Sequence, residues 1–246
     1  MKVVVLTCEK YYNTRVKMIL NTWGKDQELY FLTDSLIGCE EIKQTRPITF
    51  FDFPKVIRYD ILWQRYFLFF KNYDIIDESE WYLFCDDDTF VNFRMLDTIT
   101  EKWKFNEPVC IGNILKLDEK CNDRDGNYTG FPVASLGGNN CFLPLEYPSG
   151  GSGFLLNKNS MKNLMDLIKK TSPNDIARGY NTDVSIGFWL RETNTKLINL
   201  RGFWPTTPQK LYHTPEMIKQ SYTYHYVDEK LTLELQKILL REKSNA

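Results

Sequence analysis

The chain of 246 residues carries 31 basic and 32 acidic side chains, so its formal net charge at pH 7 is −1. A charge this close to zero gives no general attraction to nucleic acid or to an anionic membrane, and neither is expected as a partner. With 43% hydrophobic and 26% charged residues, the composition is that of an ordinary globular protein. The length suits one large domain, which we predict to cover residues 1–246.

Apolar runs alternate with segments of helical periodicity, which predicts an α/β fold that opens β-α-β-α. The predicted strands cover residues 3–6, 29–32, 81–85, 108–113, 154–156 and 222–227. The predicted helices cover residues 15–20, 59–73, 91–103, 160–170, 181–191 and 231–240. Thr182 is a candidate cap for the helix at 181–191.

The cysteines form no close Cys-x-x-Cys pair, so a structural zinc site is not expected. Cys8 and Cys85 lie in apolar runs and are predicted to be free thiols in the core. Cys121 and Cys141 bracket a polar segment, where either a disulfide or two free thiols fits the sequence.

The strand at 81–85 runs directly into Asp86-Asp87-Asp88, here called the triple aspartate. Open α/β sheets place their ligand sites at the carboxyl ends of strands. Adjacent carboxylates repel one another unless a cation neutralises them, and protein-bound Mg²⁺ or Mn²⁺ usually completes its shell with phosphate oxygens. The pattern therefore predicts a metal and nucleotide-diphosphate site. The alternative is a solvated acidic loop that caps the following helix.

Three other features are weak signals when taken singly. The segment Gly150-Gly151-Ser152-Gly153 allows backbone to approach a ligand closely, although a tight turn before a strand has the same composition. Asp183 alone fits a solvated surface charge, and His225 alone fits a core or edge residue.

Together these segments resemble motifs of the Fringe-like, core-1 β1,3-galactosyltransferase-like family of inverting glycosyltransferases. Asp86-Asp87-Asp88-Thr89-Phe90-Val91 is similar to the family's Asp-Asp-Asp-Thr-Tyr-Val metal motif. Tyr147-Pro148-Ser149-Gly150-Gly151-Ser152-Gly153-Phe154 is similar to its Tyr-Pro-Ser-Gly-Gly-Ala-Gly-Tyr segment, and Tyr224-His225-Tyr226-Val227-Asp228 is similar to Phe-His-Tyr-Val-Asp. The resemblance extends from Val3 to about Leu239, with the motifs in the family's order.

The resemblance implies a GT-A type fold, which is a Rossmann-like mixed sheet flanked by helices with one nucleotide-sugar site. It implies transfer of a hexose from a UDP-sugar to a hydroxyl of a glycan or glycoprotein, with inversion and a β-1,3 linkage. Galactose is favoured over GlcNAc as the transferred sugar. Mn²⁺ or Mg²⁺ is the implied metal, and the UDP-sugar is the donor substrate.

The resemblance also implies a role for each matching residue. Asp183 is the expected catalytic base, which takes the proton of the acceptor hydroxyl. Asp88 and His225 are the expected metal ligands. The residues expected at the donor are Arg15, Asp86, Asp87, Gly150 and Gly151.

Two positions depart from the family's pattern. Thr182 replaces the first acid of an acidic pair, which puts in doubt the acceptor contact of that acid. The family has a histidine directly after the phenylalanine that matches Phe203, and this chain has Trp204 at that position. His213 is a poor substitute for the missing histidine. If that histidine is essential for the metal, the metal dependence of this chain is weaker than in its relatives.

Two other functions stay open. A Mg²⁺-dependent phosphohydrolase or nucleotidyltransferase also holds phosphates with clustered carboxylates at strand ends. A non-catalytic carbohydrate-binding relative keeps the fold without turnover, although the triple aspartate, Asp183 and His225 argue against this.

The first eight residues are apolar but too few for a signal peptide or a membrane span, so no membrane segment is expected in this chain. The family is usually anchored in the Golgi by an amino-terminal segment. A Golgi or secretory lumen is expected if such an anchor precedes Met1, and Asn127-Tyr128-Thr129 offers a glycosylation acceptor site that fits this location. A native chain that begins at Met1 is expected in the cytosol.

Overall fold

The structure, a computed structural model, describes residues 1–43, 48–53, 62–72, 79–117, 145–176, 182–209 and 213–240. The strands are β1 Lys2–Leu6, β2 Glu28–Thr33, β3 Thr49–Asp52, β4 Trp81–Asp86, β5 Phe90–Val91, β6 Val109–Gly112, β7 Ile114–Leu117, β8 Leu145–Pro148, β9 Phe154–Asn157, β10 Lys196–Asn199, β11 Phe203–Trp204 and β12 Thr223–Tyr224. The helices are α1 Lys17–Asn21, α2 Glu40–Lys43, α3 Trp63–Asn72, α4 Phe93–Lys102, α5 Lys158–Lys170, α6 Thr182–Glu192, α7 Pro215–Lys219 and α8 Glu229–Leu240. A short 3₁₀ turn and a π-helical turn, Tyr12–Val16, lead into α1.

The main sheet has seven strands in the order β10-β6-β9-β4-β1-β2-β3. All neighbouring pairs are parallel except those of β9, which runs antiparallel to both β4 and β6. In the β1–β4 pair, Leu6 lies opposite Asp86. The loop after β1 and the triple aspartate after β4 therefore emerge side by side at one edge of the sheet.

Both faces of the sheet are buried, as expected where parallel strands are covered by helices. Val4 and Leu6 of β1 pack in one core cluster with residues of α3, α5 and α6. Val3 and Val5 pack in the other cluster with residues of α1, α4 and α8. The result is a three-layer α/β/α arrangement, with the carboxyl ends of β1 and β4 left accessible.

A second, three-stranded sheet brings the carboxyl-terminal part of the chain to the triple aspartate. Strand β12 pairs antiparallel with β5, so that Tyr224 lies opposite Phe90. Just beyond this pair, the Val227 N–H donates to the Asp88 carbonyl at 2.9 Å. This pairing sets His225 beside residues that precede it by more than a hundred positions.

The mixed α/β class is confirmed. The predicted β-α-β-α opening lacked α2 and β3, which lie between the strand at 29–32 and the helix expected at 59–73, and several extents were wrong. The strand expected at 222–227 covers only Thr223–Tyr224, and the helix expected at 15–20 begins as a π-helical turn. The helix expected to be capped by Thr182 includes Thr182 as its first residue. Cys85 is a buried free thiol as predicted, whereas the free thiol of Cys8 lies beyond β1 and is half-buried.

Some predictions concern residues outside the described ranges. They are the alternatives for Cys121 and Cys141, the acceptor site Asn127-Tyr128-Thr129, and residues 59–61, 73 and 181 at the ends of predicted helices. Within the described ranges, no helix combines the length and the apolar character needed to cross a membrane.

Helix α6 packs against β8 at a glycine. A Cβ atom added at Gly187 would lie 2.4 Å from the Tyr147 Cβ and 3.1 Å from the Glu146 carbonyl oxygen. Both neighbours belong to a strand, and the backbone carbonyl cannot rotate away as a side chain does. The absence of a side chain at Gly187 therefore sets how closely α6, which carries Asp183, approaches the sheet.

We expect Gly187→Ala to lower the free energy of unfolding by about 1 to 2 kcal/mol. Alanine is more stable than glycine in a helix by about 1 kcal/mol, but the cost of forcing its methyl group against β8 is larger. Urea denaturation measures this change. Glu192→Ala, at an exposed position of the same helix, is the matched control and should change stability by less than about 0.5 kcal/mol. Equal effects of the two changes would contradict the packing described here.

Candidate active site

The three carboxylates of the triple aspartate have three different environments. The side chain of Asp87 is 5% exposed, that of Asp88 is 12% exposed, and that of Asp86 is 33% exposed. These differences follow from the geometry, because Asp86 ends β4 and the next two residues form the turn toward β5. Each carboxylate is consequently balanced by a different set of partners.

Both oxygens of Asp87 are engaged by the protein. The Thr7 hydroxyl donates to Oδ2 at 2.6 Å, and the Arg15 guanidinium donates to Oδ1 at 2.7 Å. Burial raises the pKa of Asp87, and the hydrogen bonds from Thr7 and Arg15 oppose that rise. Asp87 therefore ties the loop after β1 and the π-helical turn to the end of β4.

Asp86, Asp88 and His225 bring their side chains together. His225 Nε2 lies 3.1 Å from Asp88 Oδ1 and 3.7 Å from Asp86 Oδ2. In the described part of the chain these residues form the one group of three whose ligand atoms suit a metal ion, with those atoms within 4.8 Å of one another. Two carboxylates and one imidazole are a donor set that fits Mn²⁺, since carboxylate oxygens suit Mn²⁺ and Mg²⁺ and imidazole suits transition metals.

The charges in this group perturb one another. Although a third of its side chain is exposed, the surrounding protein removes much of the water around Asp86, and this desolvation, followed by the negative charge of Asp183, raises the pKa of Asp86 to about 7. Burial opposes ionisation of Asp88, but the hydrogen bond and charge of His225, with the charge of Arg15, hold its pKa below the usual value. Burial likewise disfavours the charged His225, yet the two carboxylates raise its pKa overall. A group with this much unbalanced negative charge is suited to a cation.

The departure at Trp204 leaves this group intact. Trp204 supplies no ligand atom, but its backbone carbonyl accepts a hydrogen bond from the His225 N–H at 3.1 Å. The Trp204 indole donates to Ser221 Oγ at 2.8 Å and packs against the ring of His213, 4.7 Å away. His213 is not a member of the group with Asp86, Asp88 and His225.

Arg15 lies next to the cluster. Its Nη1 is 3.2 Å from Asp88 Oδ2 in addition to its bond with Asp87, and its guanidinium lies 4.0 Å from the centre of the Tyr11 ring. About a third of the side chain is exposed. Asp87, Asp88 and Tyr11 therefore hold the Arg15 guanidinium in place, and it is still accessible to a ligand.

The glycines of the segment at 150–153 allow two side chains to touch the backbone. The Gly150 N–H donates to Asp183 Oδ2 at 3.0 Å, and a Cβ at this position would lie 2.5 Å from Asp183 Oδ1. A Cβ at Gly151 would lie 2.1 Å from His225 Cε1. Burial raises the pKa of Asp183, with the Gly150 N–H and the charge of His225 opposing the rise. In the structure, the protein's own Asp183 and His225 lie against the backbone of these glycines.

A cavity of about 440 Å³ opens beside the triple aspartate, and Thr7, Cys8, Asp34 and Arg65 also line it. Arg65 is buried; its Nη2 lies 3.2 Å from Asp34 Oδ2, and its Nη1 donates to the Thr7 carbonyl at 2.7 Å. The sequence predictions did not include Thr7, Asp34 or Arg65 in the site. The available signal was position, because Thr7 and Asp34 follow the carboxyl ends of β1 and β2.

The chain carries an Asp-x-Asp motif at the end of β4, with an imidazole beside it. The Fringe-like family model matches residues 1–238. The chain belongs to the Fringe-like family. It is a glycosyltransferase, and the family resemblance predicted from the motifs is confirmed. The span 1–246 for the domain stays a prediction.

Two solved structures that are similar to this chain are named as sugar-transferring enzymes. The galactosyltransferase LgtC, solved with donor and acceptor sugar analogues, has a TM-score of 0.50 and 13% identity, over 98% of this chain and 96% of that chain. The glycosyltransferase GlyE of Streptococcus pneumoniae TIGR4 has a TM-score of 0.47 and 12% identity, over 99% of this chain and 63% of that chain. No curated protein sequence matched the chain. The similarity to LgtC shows the fold, and the predicted GT-A class is confirmed.

We expect Gly151→Ala and Gly150→Ala in this Fringe-like chain to separate two properties. The first displaces His225 and should weaken Mn²⁺ binding by about 10- to 100-fold. The second displaces Asp183 and should lower the rate of sugar transfer by about 100-fold while Mn²⁺ binding is retained. Mn²⁺ titration measures the binding, transfer assays measure the rate, and thermal unfolding checks that both variants are folded. Loss of Mn²⁺ binding to the same degree in both variants would contradict the two distinct contacts.

Proposed function

We propose that this Fringe-like glycosyltransferase is an inverting, Mn²⁺-dependent enzyme that moves a hexose from a UDP-sugar to a hydroxyl of a glycan or glycoprotein. Galactose is the favoured sugar, GlcNAc the second candidate, and β-1,3 the favoured linkage. The proposal depends on one observation: Asp86, Asp88 and His225 meet at the carboxyl edge of the sheet, with Asp183 held beside them by Gly150. A Golgi or secretory lumen is the proposed location if an anchor precedes this chain.

Binding of the donor diphosphate is assigned to Arg15. Its guanidinium is held by Asp87 and stacked on Tyr11, so little side-chain freedom is lost when it pairs with a phosphate. Asp87 has both oxygens engaged and therefore acts through Arg15 rather than by touching the donor. This differs from the role expected for Asp87 from the family resemblance.

Asp86, Asp88 and His225 are assigned to the metal. A bound Mn²⁺ supplies Lewis-acid stabilisation of the charge that develops on the leaving diphosphate. The three residues would hold that ion in position, since His225 Nε2 faces both carboxylates. Mg²⁺ is the less suitable ion because one of the three ligands is an imidazole nitrogen.

Proton removal from the acceptor is assigned to Asp183. Inversion requires a base that takes the proton of the acceptor hydroxyl while the oxygen attacks opposite the leaving group. Asp183 Oδ2 accepts from the Gly150 N–H, which fixes the orientation of the carboxylate. Burial raises the pKa of Asp183, and a carboxylate with a raised pKa takes up a proton more readily.

We expect Asp183→Asn to lower the transfer rate by about 10²- to 10⁴-fold, because an amide cannot accept the proton of the acceptor hydroxyl. The amide oxygen can still accept the hydrogen bond from the Gly150 N–H if it faces that group. Affinities for Mn²⁺ and UDP should stay within about threefold of the wild type, because Asp183 is not one of the residues assigned to the metal or to the donor. Asp175→Asn, at an exposed turn position, is the matched control. Parallel losses of binding and turnover would remove Asp183 from the role of base.

We expect Asp88→Ala to abolish the Mn²⁺-dependent affinity for UDP, because Asp88 contacts both His225 and Arg15. A thermal-shift screen with UDP-galactose, UDP-GlcNAc and UDP, with and without Mn²⁺, measures donor preference and metal dependence together. The wild type should be stabilised most by UDP-galactose with Mn²⁺. Unaltered Mn²⁺-dependent stabilisation of Asp88→Ala would refute its assignment, and metal-dependent nucleotide hydrolysis without transfer to any acceptor would favour a phosphohydrolase.

A further inference from the structure

Tyr226, the residue after His225, has an unfavourable backbone conformation that its own burial does not explain. Its φ is +57°, in the left-handed region that bulky side chains rarely adopt. Asn194, with φ of +51°, is the other described non-glycine residue in this region, and asparagine tolerates it. Tyr226 is 64% exposed, so this conformation buries no large hydrophobic surface.

The conformation does have a local result. In extended backbone, successive side chains point to opposite sides, so neighbouring rings do not meet. At Tyr226 the left-handed conformation instead brings its ring onto the imidazole of His225, with centroids 3.7 Å apart and planes 24° from parallel. The stacked pair therefore depends on the strained φ angle.

The backbone on both sides of Tyr226 is fixed. The His225 N–H donates to the Trp204 carbonyl at 3.1 Å, and the Val227 N–H donates to the Asp88 carbonyl at 2.9 Å. The Val227 side chain is 2% exposed, so burial also fixes it. Strained conformations persist where the surrounding structure over-determines them, and they cluster at functional sites.

The imidazole is also restrained by the backbone of Gly151, where a Cβ would lie 2.1 Å from Cε1. Tyr226 and Gly151 together limit rotation of the ring, whose Nε2 faces Asp86 and Asp88. A flat, exposed aromatic ring suits this purpose, because it restrains the imidazole without removing the cluster from solvent or from a ligand.

We propose that Tyr226 is a positioning residue for His225: its strained backbone is maintained so that its ring orients the imidazole toward the metal. This inference rests on the metal role proposed above for Asp86, Asp88 and His225. It extends that role to a residue that contacts no reacting atom. The competing explanation is that the left-handed conformation only closes the turn after β12, in which case the ring of Tyr226 is dispensable.

The test compares Tyr226→Gly, which removes both the ring and the strain, with Tyr226→Phe, which keeps the ring. Asn194→Gly relieves the other left-handed residue away from the site and is the matched control. Mn²⁺ titration of the full chain, with free Mn²⁺ followed by electron paramagnetic resonance, gives the dissociation constant. Thermal unfolding of the metal-free protein gives Tm.

We expect Tyr226→Gly to weaken Mn²⁺ binding by about 10- to 100-fold, the usual effect of losing a residue that orients a metal-ligating histidine. The Tm of its metal-free form should not fall, because glycine adopts positive φ without strain. Tyr226→Phe and Asn194→Gly should bind Mn²⁺ within about threefold of the wild type.

Mn²⁺ binding by Tyr226→Gly within threefold of the wild type would overturn the proposal. A parallel fall of affinity and metal-free Tm would do so as well, since it indicates a general role in folding. Loss of affinity in Tyr226→Phe would show that the hydroxyl, and not the stacked ring, is responsible. Failure of the wild type to bind Mn²⁺ is a distinct result, because it counts against the proposed metal function before any variant is compared.

Discussion

Three adjacent carboxylates at the end of a buried strand repel one another, and this repulsion is the constraint that the surrounding structure must satisfy. The middle carboxylate is balanced by Thr7 and Arg15, which come from the loop and the π-helical turn after β1. The third is shared between Arg15 and His225. The first is the most exposed, and within the described ranges its nearby cation is His225. Residual negative charge therefore concentrates where Asp86, Asp88 and His225 meet, which is where a divalent ion is proposed.

The same constraint explains why distant segments converge on this edge of the sheet. The parallel pairing of β1 and β4 supplies the first partners, and the antiparallel pairing of β5 and β12 supplies His225. The segment after β8 adds two glycines, which let Asp183 and His225 contact backbone directly. A side chain at either glycine would occupy the space of a proposed functional group. The absence of a side chain at these glycines thus matters as much for the site as their backbone freedom.

Much of the architecture was predictable from local sequence. The apolar runs at 3–6, 29–32 and 81–85 are strands of the central sheet, because continuous β-branched and aromatic runs suit strands buried on both faces. Prediction failed where tertiary contacts determine the backbone. The helical spacing at 15–20 did not predict the π-helical turn with Arg15, and the alternating run at 222–227 predicted a longer strand than β12, because the pairing partner sets where a strand ends. Short edge strands such as β10 and β11 were missed for the same reason.

The sequence by itself determined the α/β class, the family and the types of side chain at the site, because strand periodicity and short motifs depend on residues that are close together along the chain. Only the tertiary structure decided how the three aspartates divide their partners. That division depends on Thr7, Arg15 and His225, which meet the triple aspartate through strand pairing and not through spacing along the chain. It also depends on the left-handed backbone of Tyr226, which no local preference of tyrosine favours. Charge balance at a buried strand end is a property of contacts, and contacts exist only in the folded chain.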